Sequence, residues 1–317
     1  MIDFLGFILY YLCMNILIMC NPYSGKGTSV KFAHELEKRI AKRSEHTTEI
    51  FLSQSIESLH EYFAKIKKED EHRFDAAIFL GGDGTFGIAV DAMIKAGLDF
   101  PVAIFPLGTV NDFAKQLKMK KNVKRCVDVI LSGKIRECDV ANVNGDYVVN
   151  VACGGYFTHG ANTYSRTAKK MFGKMAYYGK AVFNLFNMQG QRIRFVIDNN
   201  EVIEDEVVMY LILNSPSAGG FKKIGAEAKI DDGYFDLCAI KKARLGLLLR
   251  TAIKILGGRH IPDKYIIYRK GKHFRVELVE DKINPKFVKS DTDGNVGPEL
   301  PLDIRVEEKK LKVYYKN

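Results

Sequence analysis

Short, almost wholly apolar runs punctuate the first part of the chain: Asn15–Cys20, Thr48–Leu52, Ala76–Leu80 and Val102–Phe105. Between them, apolar residues recur every three or four positions over Val30–Lys42, Ile56–Lys68, Phe86–Ala96, Asp112–Leu117 and Val123–Leu131. Short apolar runs fit strands covered on both faces, and the three-to-four spacing fits helices that bury one stripe. Their alternation predicts a parallel sheet with helices on both faces.

From residue 134 the rhythm changes. Strand-like runs follow one another at Cys138–Val143, Tyr147–Ala152, Arg192–Ile197, Val207–Leu213, Tyr234–Ile240, Lys264–Tyr268, Phe274–Leu278 and Leu311–Tyr315. Turn pairs separate many of them: Asn144-Gly145, Asn199-Asn200, Asp232-Gly233 and Lys270-Gly271. This pattern predicts a mainly antiparallel β-sandwich, interrupted by helical composition at Tyr164–Asn187 and Arg244–Leu256. The expected division is therefore an α/β domain over 14–133 and a β-rich domain over 134–317. Residues 1–13 read as an extension, either an upstream start or a short membrane-seeking segment. The apolar stretch there lacks the basic flank of a signal peptide and is short for a membrane span.

Composition narrows the function classes. In 317 residues, 47% are hydrophobic, which supports a folded core, and the formal net charge of +10 favours anionic partners. Six scattered cysteines form no C-x-x-C pair and no zinc-type cluster, so reduced, mostly buried thiols are expected. No nucleic-acid-binding motif is present.

Three loops carry candidate chemistry, each following one of the first-half strands. "NPYSGKGT", Asn21–Thr28, fails as a Walker loop: Cys20 stands where the first glycine belongs and Gly27 where a hydroxyl residue should follow Lys26. It remains either an anion-holding turn at a helix start or an ordinary strand-to-helix turn. "GGDGTFG", Gly81–Gly87, fits G-x-G-x-x-G through Gly82, Gly84 and Gly87, but Asp83 puts a carboxylate where pyrophosphate would sit. The following strand also ends without the ribose-gripping acid of a dinucleotide fold. Asp83 therefore suggests phosphate binding through a metal, with Thr85 donating a hydroxyl. "PLGTVNDFAK", Pro106–Lys115, repeats the Gly-Thr pair at Gly108-Thr109, and its Asp112 is either a helix cap or a second acid for Mg-ATP.

In this order and at these intervals, the three motifs resemble the diacylglycerol kinase catalytic domain, and more narrowly the soluble bacterial lipid kinases related to it. NAD kinases and phosphofructokinases share GGDGT; the third motif favours lipid kinases. The resemblance runs from about Met14 to the C-terminus. It implies a nucleotide-binding domain of NAD-kinase/phosphofructokinase type followed by a lipid-substrate domain. ATP phosphates or ribose would meet Asn21, Ser24, Gly25 and Lys26, with Ser53 after the second strand. The second loop contributes Gly82, Asp83, Gly84 and Thr85, and the third Gly108, Thr109, Asn111 and Asp112. The family's D-D-G turn matches "KIDDGYFD" and implies a structural Mg²⁺ on the Asp232 carboxylate and the carbonyls of Lys229 and Tyr234. By sequence alone the same stretch is also a hairpin with acids at its tip. The family's general base, in a late D-G-E turn, matches Asp293 of "SDTDGNVG".

The sequence departs from the family pattern in three places. Asn295 replaces the usual Glu, Gly87-Ile88 stand where Asn-Glu often follow GGDGT, and Ser53 replaces Thr. The expected activity is ATP- and Mg²⁺-dependent transfer of the γ-phosphate to a lipid hydroxyl, diacylglycerol first. Sphingoid bases, ceramide, phosphatidylglycerol, NAD as a soluble acceptor, and a non-catalytic nucleotide- or lipid-binding role stay open. If Asp293 is the base, Asp293→Asn is expected to leave folding and ATP affinity nearly intact while turnover collapses. Two acid-free basic stretches, Tyr147–Ile197 and residues 241–260, suggest docking at the anionic inner face of a membrane from the cytoplasm. The apolar stripe within 244–256 alone fits a core-facing helix with a solvated basic face. A homodimer remains among the allowed assembly states.

Overall fold

The computed structural model describes residues 13–43, 46–156, 188–279 and 283–317. The helical expectation at Tyr164–Asn187 and residues 1–12 of the extension at 1–13 fall outside them. The described chain divides into two compact units, one formed by residues up to Cys138 together with Lys309–Asn317, the other by Asp139–Glu308.

In the first unit, β1 (Asn15–Cys20), β2 (Thr47–Leu52), β3 (Ala76–Gly81) and β4 (Val102–Pro106) form a parallel sheet in the order β2-β1-β3-β4. Strands β1, β3 and β4 are buried almost throughout, which is why their sequences are continuous apolar runs rather than alternating ones. The end of a late strand, β15 (Leu302–Tyr314), joins β4 in parallel at Val313↔Val102. Around the sheet pack α1 (Ser29–Ala41), α2 (Ile56–Glu69), α3 (Asp83–Lys95), the short α4 (Asp112–Gln116) and α5 (Val123–Leu131). Helix α2 shows the local logic. Ser55 caps it by accepting the Ser58 N–H, and Leu59, Phe63 and Ile66 bury one stripe.

The second unit is an antiparallel β-sandwich. Its long strand β9 (Glu201–Leu213) pairs with β8 (Gln191–Ile197), β7 (Val151–Gly155) and β10 (Phe235–Lys241). Strand β11 (Ile266–Gly271) pairs with β10, and β12 (His273–Leu278) links β8 to β15. Strands β5 (Ile135–Val143) and β6 (Asp146–Val148) close through Asn144-Gly145, both at positive φ as a type I′ turn requires. One core holds Phe195, Tyr210, Phe235, Phe274 and Phe287. A second holds Leu211, Leu213, Cys238 and Ile266, and is covered by α6 (Leu245–Gly257) through Leu248 and Ile255.

Two differences from the sequence pattern bear on the site. The expected strand Tyr147–Ala152 is broken between β6 and β7, at Val149 and Asn150. A hairpin that no apolar run announced, β13 (Lys289–Thr292) and β14 (Asn295–Glu299), turns at Asp293-Gly294 and pairs with β7. Among the described residues, no helix is long and apolar enough to cross a membrane.

Candidate functional site

Strand register brings the three loops to one edge of the parallel sheet. Cys20 lies opposite Leu80, and Leu80 and Gly81 lie opposite Phe105 and Pro106, so all three chains leave the sheet at the same level. The first loop makes a single helical turn at Ser24–Lys26. Asn21 Oδ1 accepts the Tyr23 N–H, and the Asn21 carbonyl takes the Ser24 N–H and the Ser29 hydroxyl. The Ser24 hydroxyl lies 3.4 Å from that of Thr85, tying the first loop to the second. Ser53, at the end of β2, is buried, and its hydroxyl donates to the Ser55 carbonyl.

The second and third loops touch backbone to backbone. A Cβ added at Gly108 would lie 2.6 Å from the Gly82 Cα and 2.7 Å from Asn111 Oδ1, so only glycine permits this approach. Asn111, at φ 54°, accepts the Gly108 N–H and donates to the Gly108 carbonyl, clamping the loop. Thr109 is exposed at its tip. Asp83 reaches across: its two carboxylate oxygens accept the N–H groups of Asp112 (3.0 Å) and Phe113 (3.2 Å), the first residues of α4. Beneath it, Phe86 stacks on Phe113 at 5.6 Å. Burial lifts the Asp83 carboxyl above its ordinary range, and the nearby Asp112 adds to this; the two N–H donors and Lys115 pull it back. Asp112 is itself buried and is held by Lys115 Nζ at 2.9 Å. Thus Asp83, read from sequence as a metal-linked acid, is also the side chain that assembles the third motif, and Asp112 is not the cap of its own helix.

In the second unit, Asp293 sits at φ 52° in the β13–β14 turn and is 6% exposed. Its Oδ2 accepts the Val149 N–H (2.8 Å), and its Oδ1 accepts those of Asn150 and Val151 (both 2.9 Å). These bonds are the reason the strand breaks at 149–150: the backbone donors turn to a side chain instead of a ladder. They argue against the expectation that Asp293→Asn leaves folding nearly intact, because the carboxylate braces three backbone groups. Asn295, in place of the family's Glu, begins β14.

Asp291, two residues earlier, lies across from Cys153 of β7. Burial pushes its carboxyl up to about 6, with the Gly294 N–H pulling it back. A carboxyl raised above its ordinary 3.8 stabilises the fold while protonated; that contribution fades as pH rises through about 6. Asp291→Asn keeps an acceptor for the Gly294 N–H and removes the buried charge. It is therefore expected to be more stable than the wild type at pH 8, by about 1–3 kcal/mol, with little difference at pH 4. Urea unfolding at the two pH values measures this.

At the D-D-G turn, Asp232 Oδ1 takes the Tyr234 N–H (3.2 Å) and Oδ2 takes Lys270 Nζ (2.7 Å). The carbonyl donors expected at Lys229 and Tyr234 flank this turn in sequence. Asp236, two residues past Tyr234, is fully buried, and neither of its carboxylate oxygens has a hydrogen-bond partner. Burial pushes its carboxyl up to about 7, with Lys270 opposing and Asp232 and Glu227 adding. Among the described residues, no group of three or more His, Cys, Asp or Glu is arranged to hold a metal ion.

Sequence reading missed the side chains that support these turns. Asp139, buried in β5, accepts the Gly233 N–H at 2.7 Å. The Asn214 amide donates to the carbonyls of Asp139 and Val149, and that of Asn150 to Ser217. The available signal was an acid inside a mostly apolar run, "CDVANV".

The family model described as "Diacylglycerol kinase catalytic domain" matches residues 15–143, and "YegS C-terminal NAD kinase beta sandwich-like domain" matches 140–315. A diacylglycerol kinase of Bacillus subtilis (strain 168) is 29% identical over 285 residues, covering 90% of each chain. One of Staphylococcus carnosus (strain TM300) is 29% identical over 301 residues, covering 94% of each. Among solved structures, a diacylglycerol kinase from Bacillus anthracis str. Sterne superposes with a TM-score of 0.74 at 22% identity, covering 95% of this chain and 97% of that one. An NAD kinase from Archaeoglobus fulgidus in complex with ATP shares the fold at a TM-score of 0.52 and 12% identity, covering 95% and 93%. With its two consecutive domain matches and its clustered glycine loops, the chain belongs to the diacylglycerol kinase catalytic-domain family, a family of lipid kinases.

Proposed function

We propose that this chain transfers the γ-phosphoryl group of Mg-ATP to a lipid hydroxyl, with diacylglycerol as the first acceptor. The observation that carries the reading is the convergence of three loops at one sheet edge, close enough that Gly82 and Gly108 meet. Open α/β sheets bind ligands at that edge. Asn21, Ser24, Gly25, Lys26, Ser53, Gly82, Gly84, Thr85, Gly108, Thr109 and Asn111 are the nucleotide contacts in this reading. The nucleotide's Mg²⁺ would be held through waters by Asp83 and Asp112, and it supplies charge neutralisation on the phosphate oxygens. The residues fit that role, because the neighbouring Asp112 carboxylate raises the cost of ionising Asp83 unless a cation intervenes. Asp293 is assigned as the base: the lipid oxygen attacks phosphorus, the bond to the ADP oxygen breaks, and the hydroxyl proton passes to the carboxylate.

The acceptor lies in a bilayer, and α6 supports docking at an anionic one. Leu248, Thr251 and Ile255 face inward, but Ile253 is 70% and Leu256 62% exposed. The sequence reading treated this stripe as core-facing; the helix in fact splits it. Residues 241–260 carry no acid. The second basic stretch weighed for docking, Tyr164–Asn187, lies outside the described residues. Localisation at the cytoplasmic face of a membrane follows from the same reading.

Radiolabelled ATP offered with a panel of lipids in anionic vesicles tests both parts. Label is expected on diacylglycerol, with roughly tenfold weaker vesicle binding for the Ile253→Glu/Leu256→Glu double variant. Label on a sphingoid base, ceramide or phosphatidylglycerol would change the acceptor. Label on NAD alone would overturn the lipid reading, and label on nothing would leave a binding protein.

A further inference from the structure

The D-D-G turn concentrates negative charge that something must balance. Asp232 and the buried Asp236 both lie near Lys270, and Glu227 contributes to the same field. Strand register sets this arrangement: Asp236 of β10 stands directly opposite Lys270 of β11. From there Lys270 Nζ lies 2.7 Å from Asp232 Oδ2 and 4.0 Å from Asp236 Oδ1. Asp236 is 1% exposed and neither oxygen accepts a hydrogen bond, so its compensation comes from the charge of the Lys270 ammonium 4.0 Å away. The exposed ring of Tyr234 lies near two ammonium groups, Lys270 at 5.8 Å and Lys272 at 4.9 Å from its centroid, and Lys272 also pairs with Glu308. The turn itself is fastened from behind by Asp139 on the Gly233 N–H.

A divalent cation bound by the Asp232 carboxylate would have to displace Lys270 from Oδ2. Mg²⁺ demands near-octahedral oxygen donors and dehydrates reluctantly. An ammonium is a compact charge with three donors on a flexible stem, and strand pairing already delivers it here. The donor set therefore does not fit the structural Mg²⁺ implied by the family resemblance. We infer that in this chain the Lys270 ammonium takes the place of that divalent cation at the Asp231-Asp232-Gly233 turn, so that the turn is assembled without metal. The inference concerns the second unit alone and stands or falls independently of the kinase reading.

The test uses the full-length protein without nucleotide and reads no activity. Thermal melts are recorded in EDTA and in millimolar MgCl₂, and Mn²⁺ binding is counted by electron paramagnetic resonance. The wild type is expected to melt at the same temperature in both solutions, to within about 1 °C, below the ~2–4 °C that 1 kcal/mol produces in a domain of this size. Lys270→Met is expected to melt lower in EDTA, to recover in MgCl₂, and to gain a Mn²⁺ site at least about tenfold tighter than any the wild type shows at this turn. Lys270→Arg, which keeps the charge, is expected to remain indifferent to metal. A wild-type Mg²⁺ stabilisation or Mn²⁺ site that Asp232→Asn abolishes would overturn the inference, even if Lys270→Met fails to fold. A Lys270→Met protein that melts lower and does not respond to metal would overturn it too, because Lys270 would then be only a brace.

Discussion

Asp83→Ala is expected to lower turnover at least 100-fold and to cost about 2–4 kcal/mol of stability, a combination that separates this residue from an ordinary metal ligand. The stability loss follows from the two N–H groups that its carboxylate holds, those of Asp112 and Phe113 at the start of α4. Both residues are buried, so these donors would lose their partner without water to replace it. The loss also spreads. Asn111 clamps Gly108 from the same segment, and Phe113 stacks on Phe86, so loosening α4 loosens the contact between Gly82 and Gly108. Asp83→Asn retains one acceptor and should fall between the two, nearer wild type in stability than in turnover. Urea unfolding monitored by circular dichroism gives the first quantity, and ADP release the second. A variant that keeps wild-type stability while losing turnover would reduce Asp83 to a metal contact and remove it from the assembly of the third loop.

How much of this was legible in the sequence depends on where each partner lies along the chain. Strands β1, β3 and β4 announced themselves because burial on both faces leaves only apolar residues. The glycine loops were legible for a related reason: close backbone approach at Gly82 and Gly108 excludes every side chain, so composition records geometry. Strands β13 and β14 left no such trace, since "KSDT" and "NVGPE" are polar and their pairing is set by β7, far away in sequence. The break at Val149-Asn150 was invisible for the same reason, its cause lying 143 residues downstream in Asp293. Lys270 looked like one more basic residue before a turn glycine; only the β10–β11 register brings it to Asp232 and Asp236. Motifs are thus readable where chemistry is local, and hidden where a cross-strand neighbour supplies it.

Asp293→Asn is where these two kinds of information conflict, and it carries the largest expected effect on catalysis. The motif assigns the residue as a base, whose removal typically lowers turnover by about 10²–10⁴-fold. The structure adds a second debt: both oxygens are engaged by the N–H groups of Val149, Asn150 and Val151. Asparagine tolerates the positive φ of this turn, so backbone strain contributes little. Its amide, however, offers one acceptor oxygen and turns an NH₂ toward at least one of the backbone donors. An unsatisfied buried donor costs about 1–3 kcal/mol. The variant is therefore expected to be both less stable and nearly inactive, and activity must be referred to the folded fraction. Measured that way, the residual rate should lose the acidic limb of the pH profile that an ionising base imposes. If folded Asp293→Asn protein turned over at the wild-type rate, the carboxylate would be a brace for the β6–β7 break and nothing more, and the base would have to be sought elsewhere.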